Sequence, residues 1–125
     1  QAKRGELDAA IASHQKALKL YEAAGDKLRM AFVYLNLSLV YEARGDLASA
    51  VEILLKAEKA VEEAGDKKLI GPVYGALGTI YSKQGDTAKA CPTLRKARAL
   101  YAEFSKPEIL EQLDGTLLAA KCPAE

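Results

Sequence analysis

Apolar residues recur at three- and four-residue intervals along almost the whole chain, and the first four such stretches are each closed by a glycine followed by an aspartate. Over residues 6–24, Leu7, Ala10, Ile11, Ala17, Leu18 and Tyr21 share one helical face. Gly25-Asp26 ends that stretch, because glycine adopts the left-handed C-terminal conformation cheaply and Asp26 can cap the next helix through its carboxylate. A second helix is predicted over 27–44, with Phe32, Leu35, Leu37, Val40 and Tyr41 as apolar members. After Gly45-Asp46, a third is predicted over 47–63, and Gly65-Asp66 opens a fourth that runs to about Gln84. Pro72 lies near the start of this fourth helix, where its missing N–H predicts a bend or a late beginning. Gly85-Asp86 starts a fifth, to about Phe104, in which Pro92 should introduce a kink. Ser105 is the expected cap of a sixth helix, with Pro107 in its first turn and Cys122-Pro123 past its end near Ala120. No alternating, strand-like segment is present, and the short connections imply antiparallel neighbours.

The pattern is also periodic over a longer distance. Gly45-Asp46-Leu47-Ala48-Ser49-Ala50 returns forty residues later as Gly85-Asp86-Thr87-Ala88-Lys89-Ala90, and Gly5-Glu6-Leu7-Asp8-Ala9-Ala10 stands forty residues before it. Ala24-Gly25-Asp26-Lys27 likewise becomes Ala64-Gly65-Asp66-Lys67, while Tyr34, Leu37 and Tyr41 become Tyr74, Leu77 and Tyr81. A fixed period of this size marks a repeat array, in which each unit buries its apolar face against its neighbours. Arrays of this kind mostly bind other proteins.

Composition narrows the field. The chain has 125 residues, half of them hydrophobic, which suits one folded domain with a useful core. Eighteen Lys and Arg against seventeen Asp and Glu leave a formal charge of +1, with no broad electrostatic footprint for nucleic acid or anionic lipid. No apolar run is long enough for a membrane span, and Gln1-Ala2-Lys3-Arg4-Gly5 lacks the apolar core of a signal peptide. The start at Gln1, within a repeat, suggests a piece of a larger protein. Cys91 and Cys122 are too few and too distant for a disulfide framework or metal knuckle, so they read as two reduced thiols and the location as cytoplasmic.

Two consecutive segments carry a more specific pattern. The first has Tyr34, Leu37, Ser38, Tyr41, Gly45, Ala50, Leu54 and Ala57; the second has Tyr74, Leu77, Gly78, Tyr81, Gly85, Ala90, Leu94 and Ala97. Large aromatic, leucine, small residue and tyrosine in a first helix, then a turn glycine and an Ala–bulky–Ala set in a second, resembles the tetratricopeptide repeat. Small residues let the helices approach closely and tyrosines fill the spaces between them. The forty-residue period is longer than the family's common length of about 34, and resembles its long-helix variant. The resemblance implies an all-α, antiparallel helix-pair solenoid of six helices: a half repeat at 1–25, repeats at 26–65 and 66–105, and a capping helix at 106–121, in which Lys121 replaces the expected tyrosine. The first helix lacks a partner, so its Leu7, Ile11 and Leu18 surface would be open to another chain.

In this family the first helix of each repeat lines the concave face. Carried over by position, that points to Phe32, Leu35, Asn36, Leu39, Glu42 and Ala43 in one repeat. The next contributes Gly75, Ala76, Thr79 and Lys83 with Pro72 and Ser82, and the cap contributes Gln112, Gly115, Thr116 and Ala119. Apolar anchors beside small residues suit an extended peptide or a helix. Asn36 stands where carboxylate-clamp members carry an Asn, but the places of their cationic companions hold Pro72 and Ala76. This argues against chaperone C-terminal tails as ligands.

Chemistry beyond binding finds little support. His14 is the single histidine, and a metal or a nucleophilic triad needs more convergent ligands or bases than its surroundings offer. Gly75-Ala76-Leu77-Gly78 falls within a helix and is no phosphate loop. Arg95, Lys96 and Arg98 form the nearest approach to a basic patch, expected to be balanced by Glu58, Glu62 and Glu63 of the preceding repeat on a solvated face. The expectation is therefore a cofactor-free, non-enzymatic module that binds a protein or peptide as a scaffold or sensor part, with neither nucleic acid nor membrane as partner. Self-assembly into a homo-oligomer through open repeat ends is the alternative.

Overall fold

The computed structural model describes residues 3–103 and 107–123. They form α1 (Lys3–Ala24), α2 (Lys27–Arg44), α3 (Leu47–Ala64), α4 (Lys67–Lys83), α5 (Thr87–Glu103) and α6 (Pro107–Ala119), with no strand among them. The expected all-α, helix-pair class is what the chain adopts. The proposed cap Ser105 and the proposed end Phe104 lie outside the described residues.

The turns follow from local chemistry. Gly45 has φ 87°, and its N–H donates to the Glu42 carbonyl at 3.0 Å, while the Asp46 N–H donates to the Tyr41 carbonyl at 2.9 Å. Carbonyls left open at the end of α2 are thereby satisfied by the turn itself. Asp46 then accepts from the Ser49 N–H at 3.1 Å and the Ser49 hydroxyl at 2.8 Å, capping α3. The device recurs: Asp26 accepts from the Arg29 N–H and Asp86 from the Lys89 N–H, each at 3.1 Å. Gly25, Gly65 and Gly85 have φ of 69°, 70° and 79°. Gly5, although aligned with them, lies inside α1, which begins at Lys3 rather than at residue 6.

The expected late beginning of the fourth helix is corrected. α4 begins on time at Lys67 and passes through Pro72, and α5 likewise continues through Pro92. Each proline falls in the second turn, where one lost backbone bond is outweighed by the packing of the turns on either side.

The chain divides into two compact units, Gln1–Asp66 and Lys67–Glu125. In the first, α2 packs between α1 and α3. Tyr34, Leu37 and Ser38 of α2 and Ala50, Leu54 and Ala57 of α3 are buried, with Leu54 and both alanines wholly so. Ion pairs mark the antiparallel directions: Arg44 at the end of α2 meets Asp8 of α1 at 3.3 Å, and Lys27 at its start meets Glu63 at the end of α3 at 3.2 Å. Exposed pairs of this kind contribute at most about 1 kcal/mol, so the buried leucine and alanine faces hold the unit. The Leu7, Ile11 and Leu18 surface is not open as expected. Ile11 is buried, and Leu7 and Leu18 are half-buried; Leu20, at 72% exposed, is the open leucine of α1.

In the second unit, α5 lies against both α4 and α6. Ala90, Leu94 and Ala97 of α5 with Leu113 and Ala120 form the core, bordered by Tyr74, Tyr81, Tyr101, Ile109 and Leu117. Gly78 allows the closest approach: a Cβ built there would sit 2.6 Å from Leu94 Cγ and 3.2 Å from the Leu94 backbone nitrogen. The Cys91 and Cys122 expectation is overturned here, because the two are joined in a disulfide with Cα atoms 5.5 Å apart. Folding brings Cys91, one residue after core Ala90, beside the turn that follows α6, a proximity invisible to their separation of 31 residues. The inference of a cytoplasmic location from reduced thiols falls with it.

Gly78→Val is expected to lower stability by about 1–3 kcal/mol through overpacking against Leu94. Gly115→Ala, with nothing within 4 Å of its Cβ, should be neutral or raise stability by up to about 1 kcal/mol through helix propensity. Urea unfolding of both variants checks the contrast. The Ser49 hydrogen bonds hold the Asp46 carboxyl below its usual range, with Arg44 adding to the effect. A depressed folded pKa gives stability that is present at neutral pH and fades as pH falls through and below about 4. The stability gap between the native chain and Asp46→Ala should therefore hold constant above about pH 5 and shrink at lower pH.

Candidate functional site

One face of α2 is turned away from the core. Met30, Ala31, Val33, Tyr34, Leu37 and Ser38 are buried, so residues about half a turn away must face outward. Phe32 is 48% exposed and Leu39 58% exposed, with Leu35 half-buried between them. Asn36 and Ala43 are exposed on the same face, and Glu42 is half-buried with polar partners of its own. All six positions proposed on this helix thus share one surface, and Leu39 lies outside the core.

Leu28, not named from the sequence, extends the stripe and is 37% exposed. Its signal was available: Leu28, Phe32, Leu35 and Leu39 stand at intervals of four, three and four, the spacing of a helix–helix seam. The family pattern starts at Tyr34, six residues after Leu28, and does not include the first turn.

The corresponding face of α4 differs. Gly75, Ala76 and Thr79 are half-buried and Lys83 is exposed, with Pro72 and Ser82 half-buried beside them. The Thr79 hydroxyl donates to the Gly75 carbonyl at 2.8 Å, which fixes its rotamer and occupies one acceptor. A Cβ on Gly75 would meet Leu113 of α6 at 3.9 Å, ordinary contact, so the glycine leaves a shallow depression rather than a clash site. Lys83 has an interaction partner of its own. On α6, Gln112, Gly115 and Ala119 are exposed, and half-buried Thr116 donates to the Gln112 carbonyl at 2.9 Å. α2 therefore carries bulky apolar anchors and α4 carries small, partly covered residues.

Each member of the basic cluster has a partner within its own unit. Arg98 Nε donates to Asp114 at 2.6 Å, holding the Asp114 carboxyl below its usual range, and Arg95 donates to the Pro123 carbonyl. Lys96 Nζ lies 5.6 Å from the centre of the Tyr74 ring. In the first unit Glu63 pairs with Lys27. Between α5 and α6, Arg95, Arg98, Asp114 and Pro123 border a surface cleft of about 410 Å³. His14 is half-buried on α1, and no group of three or more His, Cys, Asp or Glu side chains converges among the described residues. Among the described residues, no helix is long and apolar enough to cross a membrane.

Comparison with known proteins agrees with the helix pattern. Family models described as tetratricopeptide repeat match residues 1–63 and 71–103. No curated protein matches the chain.

Proposed function

The chain belongs to the tetratricopeptide repeat family, and from that premise we propose that the outward face of α2 binds a protein or peptide segment, making the chain a scaffold or sensor part rather than an enzyme. Repeats of this family are generally protein–protein interaction modules. The observation that carries the reading is the run of Leu28, Phe32, Leu35 and Leu39, in which three large apolar side chains are more than a third exposed on the helix the family uses for ligands. Water gains nothing from such a stripe. A ligand that covers it recovers roughly 25 cal/mol for each Å² of apolar surface removed from water.

Asn36 and Glu42 flank the anchors and give the surface polar edges for orientation. An amphipathic helix fits the stripe through its own seam. An extended segment fits if Asn36 hydrogen-bonds its backbone. The α4 face, with Gly75, Ala76 and Thr79, gives the second unit a shallower surface on which a ligand backbone could lie close to the helix. Neither pairing requires a cofactor, a membrane or nucleic acid. A self-assembly alternative through the first helix would rest on Leu20, 72% exposed, since Ile11 is buried and Leu7 and Leu18 are half-buried.

Leu39→Glu should weaken retention of a protein partner from source-cell extract by ten-fold or more, the loss of about 1.4 kcal/mol or more expected for an interface anchor. Its unfolding midpoint should stay within about 0.5 kcal/mol of the native chain, because the site is exposed. Identical retention by both proteins would remove the α2 face from consideration, and loss of fold would assign Leu39 to the core.

A further inference from the structure

We propose that the Cys91–Cys122 disulfide is a thiol-responsive latch on α6: a dithiol reductant opens it through the Cys122 sulfur, and α6 then leaves α5 without unfolding the rest of its unit. The inference does not depend on the ligand reading of α2.

The two sulfurs stand in different surroundings. Cys91 is 4% exposed, within the α5 face that carries Ala90 and Leu94. Cys122 is half-buried and lines the cleft of about 410 Å³ between α5 and α6, together with Arg95, Arg98, Leu117 and Pro123. A small dithiol therefore meets the Cys122 sulfur first. Guanidinium groups along the cleft favour the thiolate form of an attacking thiol and of the Cys122 thiol that is later released. In the first step the reductant's thiolate attacks Cys122 Sγ, the S–S bond breaks, and Cys91 leaves as a thiolate that takes up a proton. The reductant's second thiol then attacks its own sulfur in the mixed disulfide and releases Cys122 as a thiol. The protein gains two electrons and two protons, and the dithiol becomes a disulfide.

Little else holds α6 in place. It has 13 residues, close to the length below which a helix needs tertiary support. Leu113 is buried within it and Ala120 just past its end, Ile109 and Leu117 border the core, and Leu118 is 81% exposed. The polar fastenings, Arg98 to Asp114 and Arg95 to the Pro123 carbonyl, are at the surface and weak for that reason. After α6 the chain turns at Lys121 with φ 61°, a left-handed conformation that the turns after α1, α2, α3 and α4 give to glycine. The disulfide attaches the very next residue. By contrast α4 and α5 share a continuous buried interface, with Val73, Leu77, Ile80, Ala90, Leu94 and Ala97 all buried. The latch thus closes an element of low intrinsic stability on one of high stability, the condition for local rather than global opening. A cross-link across this separation is expected to suppress opening of α6 roughly a hundred-fold.

Amide hydrogen exchange on the whole chain, with and without dithiothreitol, tests the idea alongside a count of free thiols. Without denaturant, the dithiol should release two thiols per chain and accelerate exchange in 107–120 roughly a hundred-fold, leaving 47–64 and 71–100 protected. Cys122→Ala, which removes the bond but leaves buried Cys91 untouched, should show the fast α6 exchange in both conditions. The proposal fails if the bond resists the dithiol until urea unfolds the chain, or if α6 stays protected after reduction. It fails equally if α4 and α5 lose protection together with α6, since the bond would then be a staple of the whole unit.

Discussion

Everything in this fold depends on stopping a helix within one residue and starting the next at once. The glycine–aspartate turns do this by joining two needs of the backbone. A left-handed glycine folds its own N–H, and that of the next residue, back onto carbonyls at the helix end; the aspartate that follows accepts from the N–H groups at the next helix start. Because no length is spent on a loop, α1 and α2, α2 and α3, and α4 and α5 have to lie antiparallel and in contact within their units. The register of that contact is then set by where the turns fall.

Given those turns, packing becomes a matter of side-chain size. In the second unit Gly78 lets α4 meet α5 so closely that Leu94 occupies the space where a side chain would begin. In the first unit the matching position is Ser38, buried, with its hydroxyl donating to the Leu35 carbonyl at 2.7 Å. The hydroxyl is satisfied by its own helix, so a polar residue can stand in the core without the cost of an unpaired group. Both solutions leave the tyrosines to fill what remains. Burial accordingly pushes the Tyr34 and Tyr101 hydroxyls above the ordinary phenol range, with Glu22 adding to the effect at Tyr34.

Packing also creates the surface available for function. Once one face of α2 is spent on α1 and α3, the seam of Leu28, Phe32, Leu35 and Leu39 has nowhere to go but outward. The repeat is thus satisfied internally while keeping one apolar stripe in hand. α4 uses the same arrangement with smaller residues, and the two faces differ in depth and in character for that reason. At the other end, α6 shields α5 with few buried residues and is secured covalently.

The sequence by itself determined the helices, their turns and the direction of their faces. These are local matters: apolar spacing, left-handed glycine and a capping carboxylate act within a few residues, and the forty-residue recurrence announces that they repeat. Phe32, Leu35, Asn36 and Leu39 could be placed on one face for the same reason, and Leu28 could have been added by following the spacing one turn further. The tertiary structure decided what depends on distant partners. Proximity of Cys91 to Cys122 requires α6 to fold back on α5, and neither residue carries a local mark of it. The pairing of Arg98 with Asp114, and the covering of Ile11, are likewise products of helix against helix. That α4 and α5 continue through Pro72 and Pro92 was decided there too, because the loss of one backbone bond is local but the packing that outweighs it is not.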